Sequence, residues 1–289
     1  MKKIGLITNY NIPEKLAAAQ AVSDKIGERV EEIMIPVSYK DRIFRNRMHK
    51  SQFSYKTPDE IYSSAELVIV IGGDGSMLDA ARRAAKNAIP VLGINMGRIG
   101  YMTEIEMDEL YLLDRVFSGE YTVDERAMLT VRIVSDKGQV RFSSDALNEA
   151  VIANGSTARI IDIELSDGNE LVTNYRADGL VVSTPTGSTA YSLSAGGPIV
   201  DPRLSCICVT PVCPHSLLAR PMIFPDTAEL KVKNICVREK MLHLTVDGKV
   251  TFEMYYGDTA VITRSDTTAR LLRVKNDGFC SRIRLKKLL

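Results

Sequence analysis

Apolar residues in the first part of the chain fall in short uninterrupted runs separated by amphipathic stretches; beyond about residue 123 they alternate with polar ones. Residues 4–8, 32–37, 67–71 and 90–94 read as strands, and 13–26, 58–65 and 77–87 as helices between them, the first opened by Pro13. Strand, helix, strand in repetition implies a parallel sheet, so residues 1–123 form a doubly wound α/β lobe with ligands expected at the carboxyl edge of its strands. Residues 129–134, 140–143, 150–153, 160–165, 171–175, 230–232, 242–246, 250–254 and 259–262 continue as strands, with Asp136-Lys137-Gly138 and Asp167-Gly168 as hairpin turns. The second lobe, 124–265, is therefore antiparallel β. A tail, 266–289, holds a strand at 271–274 and packs back on the first lobe. The basic stretch 38–56, with Lys40, Arg42, Arg45, Arg47, His49, Lys50 and Lys56 against Asp41, reads as a mobile solvated loop, the alternative being a lid that attracts phosphate.

Within this pattern one turn stands out. Ile71-Gly72-Gly73-Asp74-Gly75-Ser76 follows a buried strand and opens a helix. Glycines that let the backbone approach a ligand, with the free N–H groups of a helix start, make an anion site, and Gly72, Gly73 and Gly75 are assigned to phosphate. Asp74 repels that same charge. It belongs there if it serves a magnesium ion or takes a proton from a hydroxyl that attacks phosphorus; the alternative is a helix cap. The turn lacks the lysine and spacing of a P-loop. A second glycine turn, Asn95-Met96-Gly97-Arg98-Ile99-Gly100-Tyr101, belongs to the same edge, with Arg98 either a phosphate contact or an exposed surface residue.

Composition removes other classes. Lys and Arg number 37 against 36 for Asp and Glu, a net charge of +1, which leaves no global electrostatic case for nucleic acid or a membrane surface. The five cysteines are odd in number with no C-x-x-C pair and read as reduced core thiols of a cytoplasmic protein. No apolar run reaches spanning length, and residues 1–4 lead straight into a strand. Three scattered histidines, His49, His215 and His243, support neither a histidine metal centre nor a Ser-His-Asp hydrolase.

The second lobe contributes a loop dense in hydroxyls, Ser183-Thr184-Pro185-Thr186-Gly187-Ser188-Thr189-Ala190-Tyr191, preceded by Arg176-Ala177-Asp178 and followed by Ser194-Ala195-Gly196-Gly197. Short donors and acceptors, a glycine for close approach and the flat face of Tyr191 suit a nucleoside; the alternative is a capped helix start with an ST-turn. Asn148 and Glu149 put two polar residues at an apolar strand, on opposite faces unless the strand ends there. Asp247-Gly248 reads first as a hairpin turn.

Taken in order, Gly72-Gly73-Asp74-Gly75, Asn148-Glu149, Asp178-Gly179, Thr184-Pro185-Thr186-Gly187-Ser188-Thr189-Ala190-Tyr191 and Val246-Asp247-Gly248 resemble the motif series of the NAD kinases over nearly the whole chain. The resemblance implies an α/β lobe joined to a β-sandwich-like lobe, homodimers or homotetramers, and transfer of the γ-phosphoryl group of ATP to the adenosine 2′-hydroxyl of NAD. It makes Asp74 the proton acceptor, with no resident metal and magnesium held by the donor phosphates. Asn148 and Glu149 become adenosine contacts, while Gly75, Thr186, Thr189, Ala190, Tyr191 and Ser194 line the substrate pocket. Arg176 is a further substrate contact, Asp178 lies near the nicotinamide end, and Asp247 near the dinucleotide. A lipid kinase shares the glycine turn but needs an aliphatic groove, and a dinucleotide-binding regulator would not need Asp74.

Overall fold

The computed structural model describes residues 1–97, 100–155, 159–238 and 240–285, and every count below refers to these. They divide into two compact units, Met1–Glu125 with Ala269–Leu289, and Arg126–Thr268.

In the first unit β1 (Lys3–Ile7), α1 (Pro13–Ile26), β2 (Glu32–Pro36), α2 (Lys40–Arg45), β3 (Phe53–Lys56), α3 (Pro58–Ser64), β4 (Leu67–Gly72), α4 (Asp74–Ala85), β5 (Val91–Asn95), β6 (Ile105–Glu106) and α5 (Leu113–Ser118) follow in sequence. The first five strands pair in parallel in the order 3-2-1-4-5. Every residue of β4 and β5 is buried, which is why they read as continuous apolar runs and not as alternation. Thr57 and Glu60 form a reciprocal capping box at the start of α3, with Pro58 in the first turn. That helix returns the chain from β3 at one edge to β4 on the far side of β1. The strand order thus reverses between β1 and β4, the place where open α/β sheets hold their ligands, and the carboxyl end of β4 is Gly72.

The stretch 38–56 is not the solvated loop its charge suggested. It forms α2 and the edge strand β3, because Ile43, Met48 and Phe53 are buried between the basic positions. Lys40, Arg45, Arg47 and His49 are exposed, so the charges cover an anchored element.

The second unit takes up most of β7 (Thr122–Val134), then β8 (Val140–Ala146), β9 (Glu149–Ala153), β10 (Ile161–Asp167), β11 (Glu170–Ala177), β12 (Gly179–Ser183), the one-turn α6 (Tyr191–Ser194), β13 (Cys206–Val212), β14 (Met222–Pro225), β15 (Leu230–Asn234), β16 (Met241–Val246), β17 (Val250–Tyr255) and the start of β18 (Thr259–Arg273). One antiparallel sheet runs 14-13-12-9-16-17. A second set, 11-10-15-18, is also antiparallel. Ile161, Ile163, Leu230 and Ile262 of one set share a core with Ile152, Leu180, Val182 and Leu244 of the other, the arrangement of a β-sandwich.

β13 and β14, each carrying a proline, escaped the alternation pattern. The segments expected at 259–262 and 271–274 are one strand; Arg264, Ser265 and Asp266 interrupt its pattern without ending it. α7 (Phe279–Leu285) closes the first unit. None of the five cysteines is paired. Cys208 and Cys236 are core thiols, with burial pushing Cys208 up to about 12, whereas Cys213 and Cys280 are exposed and do not fit the core reading.

Gly93 of β5 is a packing glycine, since a Cβ there would come within 2.7 Å of Met77 Sδ and 2.9 Å of Thr103 Cα. The methionine end can move; the Thr103 backbone cannot without shifting its loop. Gly93→Ala should therefore destabilise by about 1–3 kcal/mol, the range for overpacking. Chemical denaturation checks this, and an unchanged midpoint would show that the loop gives way freely.

Candidate functional site

Two groups of residues singled out in the sequence assemble, one in each unit. In the first unit Gly73 is the N-cap of α4, with extended backbone at φ −99° and ψ −171°, and Asp74 is the first helical residue. Asp74 is thus not the cap. Its Oδ2 accepts the N–H of Tyr101 and its Oδ1 that of Met102, both at 2.9 Å. Two backbone donors from a separate loop hold the carboxylate in one orientation and stabilise its charge. Gly100 makes this approach possible, because a Cβ there would lie 2.6 Å from Asp74 Oδ1 and 2.3 Å from Thr103 Oγ1.

The glycines of the turn differ in purpose. A Cβ on Gly72 would press on Ser76 Oγ at 2.8 Å and Ser76 Cβ at 3.0 Å, so packing within the turn also favours glycine there. At Gly73 and Gly75 a Cβ would meet nothing within 4 Å. Those two are uncrowded beside Asp74, with Gly75 and Ser76 exposed, so the helix start is accessible from outside. Arg98 lies outside the described residues. Tyr101 and Met102, which supply the amides, had no assigned role in the sequence reading; the signal available was the second glycine turn just before them.

In the second unit the organising group is Asp247. It sits in the β16–β17 hairpin turn with φ +49°, followed by Gly248 at φ +65°, two successive left-handed residues in the three-residue connection between the paired Val246 and Val250. Its Oδ2 accepts the N–H of Leu147 at 2.9 Å, and its Oδ1 those of Asn148 and Glu149 at 2.8 and 3.1 Å. The turn reading was right as far as it went; the side chain also fixes the bend between β8 and β9. The strand begins at Glu149, so Asn148 lies in that bend and the two residues do not alternate within one strand.

The hydroxyl loop packs on the same bend. Thr184 Oγ1 donates to the Leu147 carbonyl at 2.6 Å, and the Thr184 N–H to that of Asn148 at 2.9 Å. Ser188 is buried and bonded to the Pro185 carbonyl and the Val200 N–H, while buried Ser192 meets Thr210 at 3.0 Å. These hydroxyls build the loop instead of lining a ligand. Gly187 is likewise structural: a Cβ would come 2.1 Å from the Asn148 carbonyl oxygen, so it serves close packing of two backbones and not ligand approach. Thr186 is buried and accepts from Arg126 Nη1 at 3.2 Å, Thr189 donates to the Thr186 carbonyl, and Ala190 is half-buried. Tyr191 and Ser194 are exposed, with Tyr191 at 46%.

Glu149 is the electrostatically unusual member. It is 6% exposed, and its Oε2 has no hydrogen-bond partner among the described residues. Burial first, and the charge of Asp247 second, raise its carboxyl to about 7 despite an opposing bond from the Tyr191 N–H. A buried carboxyl with an unused oxygen can accept a ligand hydroxyl or amine. Asn148, Glu149, Thr186, Thr189, Ala190, Tyr191 and Asp247 are therefore together at one end of the sheet. Arg176 and Asp178 are not with them. Both are exposed at the opposite end of the five-residue β12, roughly 15–20 Å away by strand rise, where the Asp178 N–H donates to the Val212 carbonyl and Arg176 faces Asp162.

Comparison with known proteins matches residues 4–121 to the ATP-NAD kinase N-terminal domain and residues 147–274 to the ATP-NAD kinase C-terminal domain. An NAD kinase of Geobacter sp. (strain M21) is 38% identical over 287 residues, covering 99% of this chain and 98% of that protein. The chain belongs to the NAD kinase family. Another member, from Thermoanaerobacter sp. (strain X514), is 37% identical over 99% of both chains. A crystal structure of yeast NADH kinase complexed with NADH shares the fold with a TM-score of 0.89 at 23% identity, over 98% of this chain and 86% of that one. An NAD kinase from Archaeoglobus fulgidus in complex with ATP shares it at 0.71 and 22%, over 99% of each. Neither a lipid kinase nor a regulator is favoured by any of these. Family membership makes the chain a phosphotransferase.

The raised Glu149 carboxyl has a consequence for stability in this NAD kinase. Its ordinary value is 4.5, so the folded state binds the proton more tightly than the unfolded state. That contribution is full below about pH 4.5 and is lost as pH rises to about 7, a difference on the order of 3 kcal/mol. Glu149→Gln should flatten the fall in urea midpoint between pH 5 and pH 7 and be the more stable protein at pH 8. A Gln variant that keeps the full slope would assign the titration to another group.

Proposed function

We propose that this NAD kinase transfers the γ-phosphoryl group of ATP to the adenosine 2′-hydroxyl of NAD, giving NADP, with Asp74 as the proton acceptor. The observation that supports it is the Asp74 carboxylate at the first position of α4, its two oxygens on the Tyr101 and Met102 N–H groups beside the open space at Gly73 and Gly75. An anion-attracting helix start with a fixed carboxylate suits a hydroxyl that must lose its proton as it attacks phosphorus. The remaining work is positioning and charge neutralisation, as phosphoryl transfer leaves the protein little covalent chemistry.

In this reading Asn148 and Glu149 bind adenosine, with the unpartnered Glu149 oxygen accepting from the ligand. Thr186, Thr189, Ala190, Tyr191 and Ser194 line the adenine pocket, and the Tyr191 ring covers the base. Asp247 holds the bend that presents Asn148 and Glu149. At the far end of β12, Asp178 is assigned to the nicotinamide end of the ligand and Arg176 to a further substrate contact, with Gly72, Gly73, Gly75 and Arg98 assigned to phosphate. Magnesium, or another divalent cation, arrives on the donor phosphates and neutralises their charge; the uncrowded backbone at Gly73 and Gly75, where a Cβ would meet nothing within 4 Å, is where this reading sets those phosphates. The described residues include no helix long and apolar enough to cross a membrane. Action in the cytoplasm as a homodimer or homotetramer completes the proposal, on the family resemblance.

A coupled assay for NADP formation from NAD and magnesium-ATP tests the activity directly. In it, Asp74→Asn should lower kcat by roughly 10²-fold or more with a smaller change in the KM for NAD, because the charge acts when the hydroxyl loses its proton. Turnover near the parent rate would remove Asp74 from the chemistry. Tyr191→Ala should weaken NAD binding by about 0.5–1.5 kcal/mol beyond lost area and leave the fold intact, measured by calorimetry. Unchanged affinity would take the ring off the adenine.

A further inference from the structure

The loop that holds Asp74 is itself held, by charges from the last strand and helix of the first unit. Met102 gives its N–H to Asp74, and its carbonyl accepts Arg273 Nη1 at 3.1 Å. The same Nη1 reaches Glu104 Oε2 at 3.1 Å, and Arg273 Nε reaches Asp124 Oδ2 at 3.1 Å. Glu104 takes the N–H groups of Val274 and Lys275 on Oε1, at 2.9 and 2.7 Å, and Arg282 Nη2 of α7 on Oε2 at 2.7 Å. The Glu104 N–H goes to the Gly93 carbonyl at 2.9 Å. Residues 101–104 are thereby fixed on every side, with one face turned to Asp74.

Such a cluster is a poor way to gain stability. The side chains of Arg273 and Glu104 are 6% and 0% exposed, and well-packed apolar residues serve a buried site as well or better. What a planar guanidinium adds is geometry, since it engages a carbonyl and two carboxylates at fixed angles. We propose that Arg273 is a positioning residue for phosphoryl transfer: by holding the Met102 carbonyl between Glu104 and Asp124 it aims the Tyr101 and Met102 N–H groups at the Asp74 carboxylate. This rests on Asp74 being the proton acceptor.

Arg273→Lys keeps a charge for Glu104 but loses the fork that reaches Met102 and Asp124 together. In the NADP-formation assay it should lower kcat roughly tenfold or more, the scale of small misplacements of reacting groups, with the Kd for NAD within about twofold of the parent. A structural role alone would not produce that split. Coupling is read in the Asp74→Asn background, where Arg273→Lys should have no further effect on kcat. Arg282→Gln, which touches Glu104 and not Met102, is the control and should lower the melting temperature while keeping kcat. Should Arg273→Lys not fold, Asp124→Asn loosens the same guanidinium from its half-exposed side and should show a smaller fall in kcat, again absent in the Asp74→Asn background. The proposal is overturned by a folded Arg273→Lys, or in its place Asp124→Asn, with parental kcat, by losses that add to that of Asp74→Asn, or by an Arg282→Gln loss of kcat equal to that of Arg273→Lys. Additive losses leave the role of Asp74 standing, whereas an Asp74→Asn enzyme at full rate ends both.

Discussion

Carboxylates that collect consecutive backbone N–H groups from distant loops hold this molecule's functional segments in place. Asp74 takes two from 101 and 102, Asp247 three from 147 to 149, and Glu104 two from 274 and 275. Each loop would otherwise leave donors unpaired at a crowded strand end, which costs more than a well-made bond returns. The device also sets charge. Burial alone would raise the Glu104 carboxyl, and Arg273, Arg282 and the Lys275 N–H bring it below its ordinary value. Glu149, with burial and a neighbouring carboxylate but one amide, goes the other way.

How much of this was legible depends on the range of the interaction. The doubly wound lobe was written in local pattern: apolar runs bounded by a proline-started helix and by Thr57-Pro58 gave β1, α1, β2, α3 and β4 within a residue or so. Asp74 stood out in the sequence because a carboxylate among three glycines is a local contradiction. Its partners were not, as Tyr101 and Met102 act through backbone amides that carry no sequence signature. Asp247 was placed correctly in its turn, yet its bonds reach back about a hundred residues. Ser188, Thr184 and Gly187 were credited to the ligand on residue type, although burial and a 2.1 Å approach give them to the loop. Charge misled at 38–56, where three apolar side chains outweigh seven basic ones in fixing structure.

The two polar centres follow opposite rules for burying charge. Around Asp74 the acceptors are paired and the buried cluster behind them is dense with guanidinium, so geometry is fixed at the expense of stability. At Glu149 an oxygen is left over. A folded chain tolerates such an atom by keeping it protonated, and a ligand that satisfies it returns part of that cost as affinity.

The placement of residues 269–285 has a bearing on how the chain is made. β18 lies parallel to β5 through Leu271 and Val91, and Glu104 waits for Arg273 and Arg282, all within the first unit. During synthesis from the amino terminus these partners emerge only after the whole second unit. The nascent α/β unit therefore spends that interval without the Arg273 and Arg282 partners of Glu104 and without the β18 neighbour of Val91, while β6 already pairs with the far end of β5 at Ile94 and Asn95, which leaves only the Val91 end of that strand as an open edge. The contacts that brace residues 101–104 from behind are thus among the last that translation makes available.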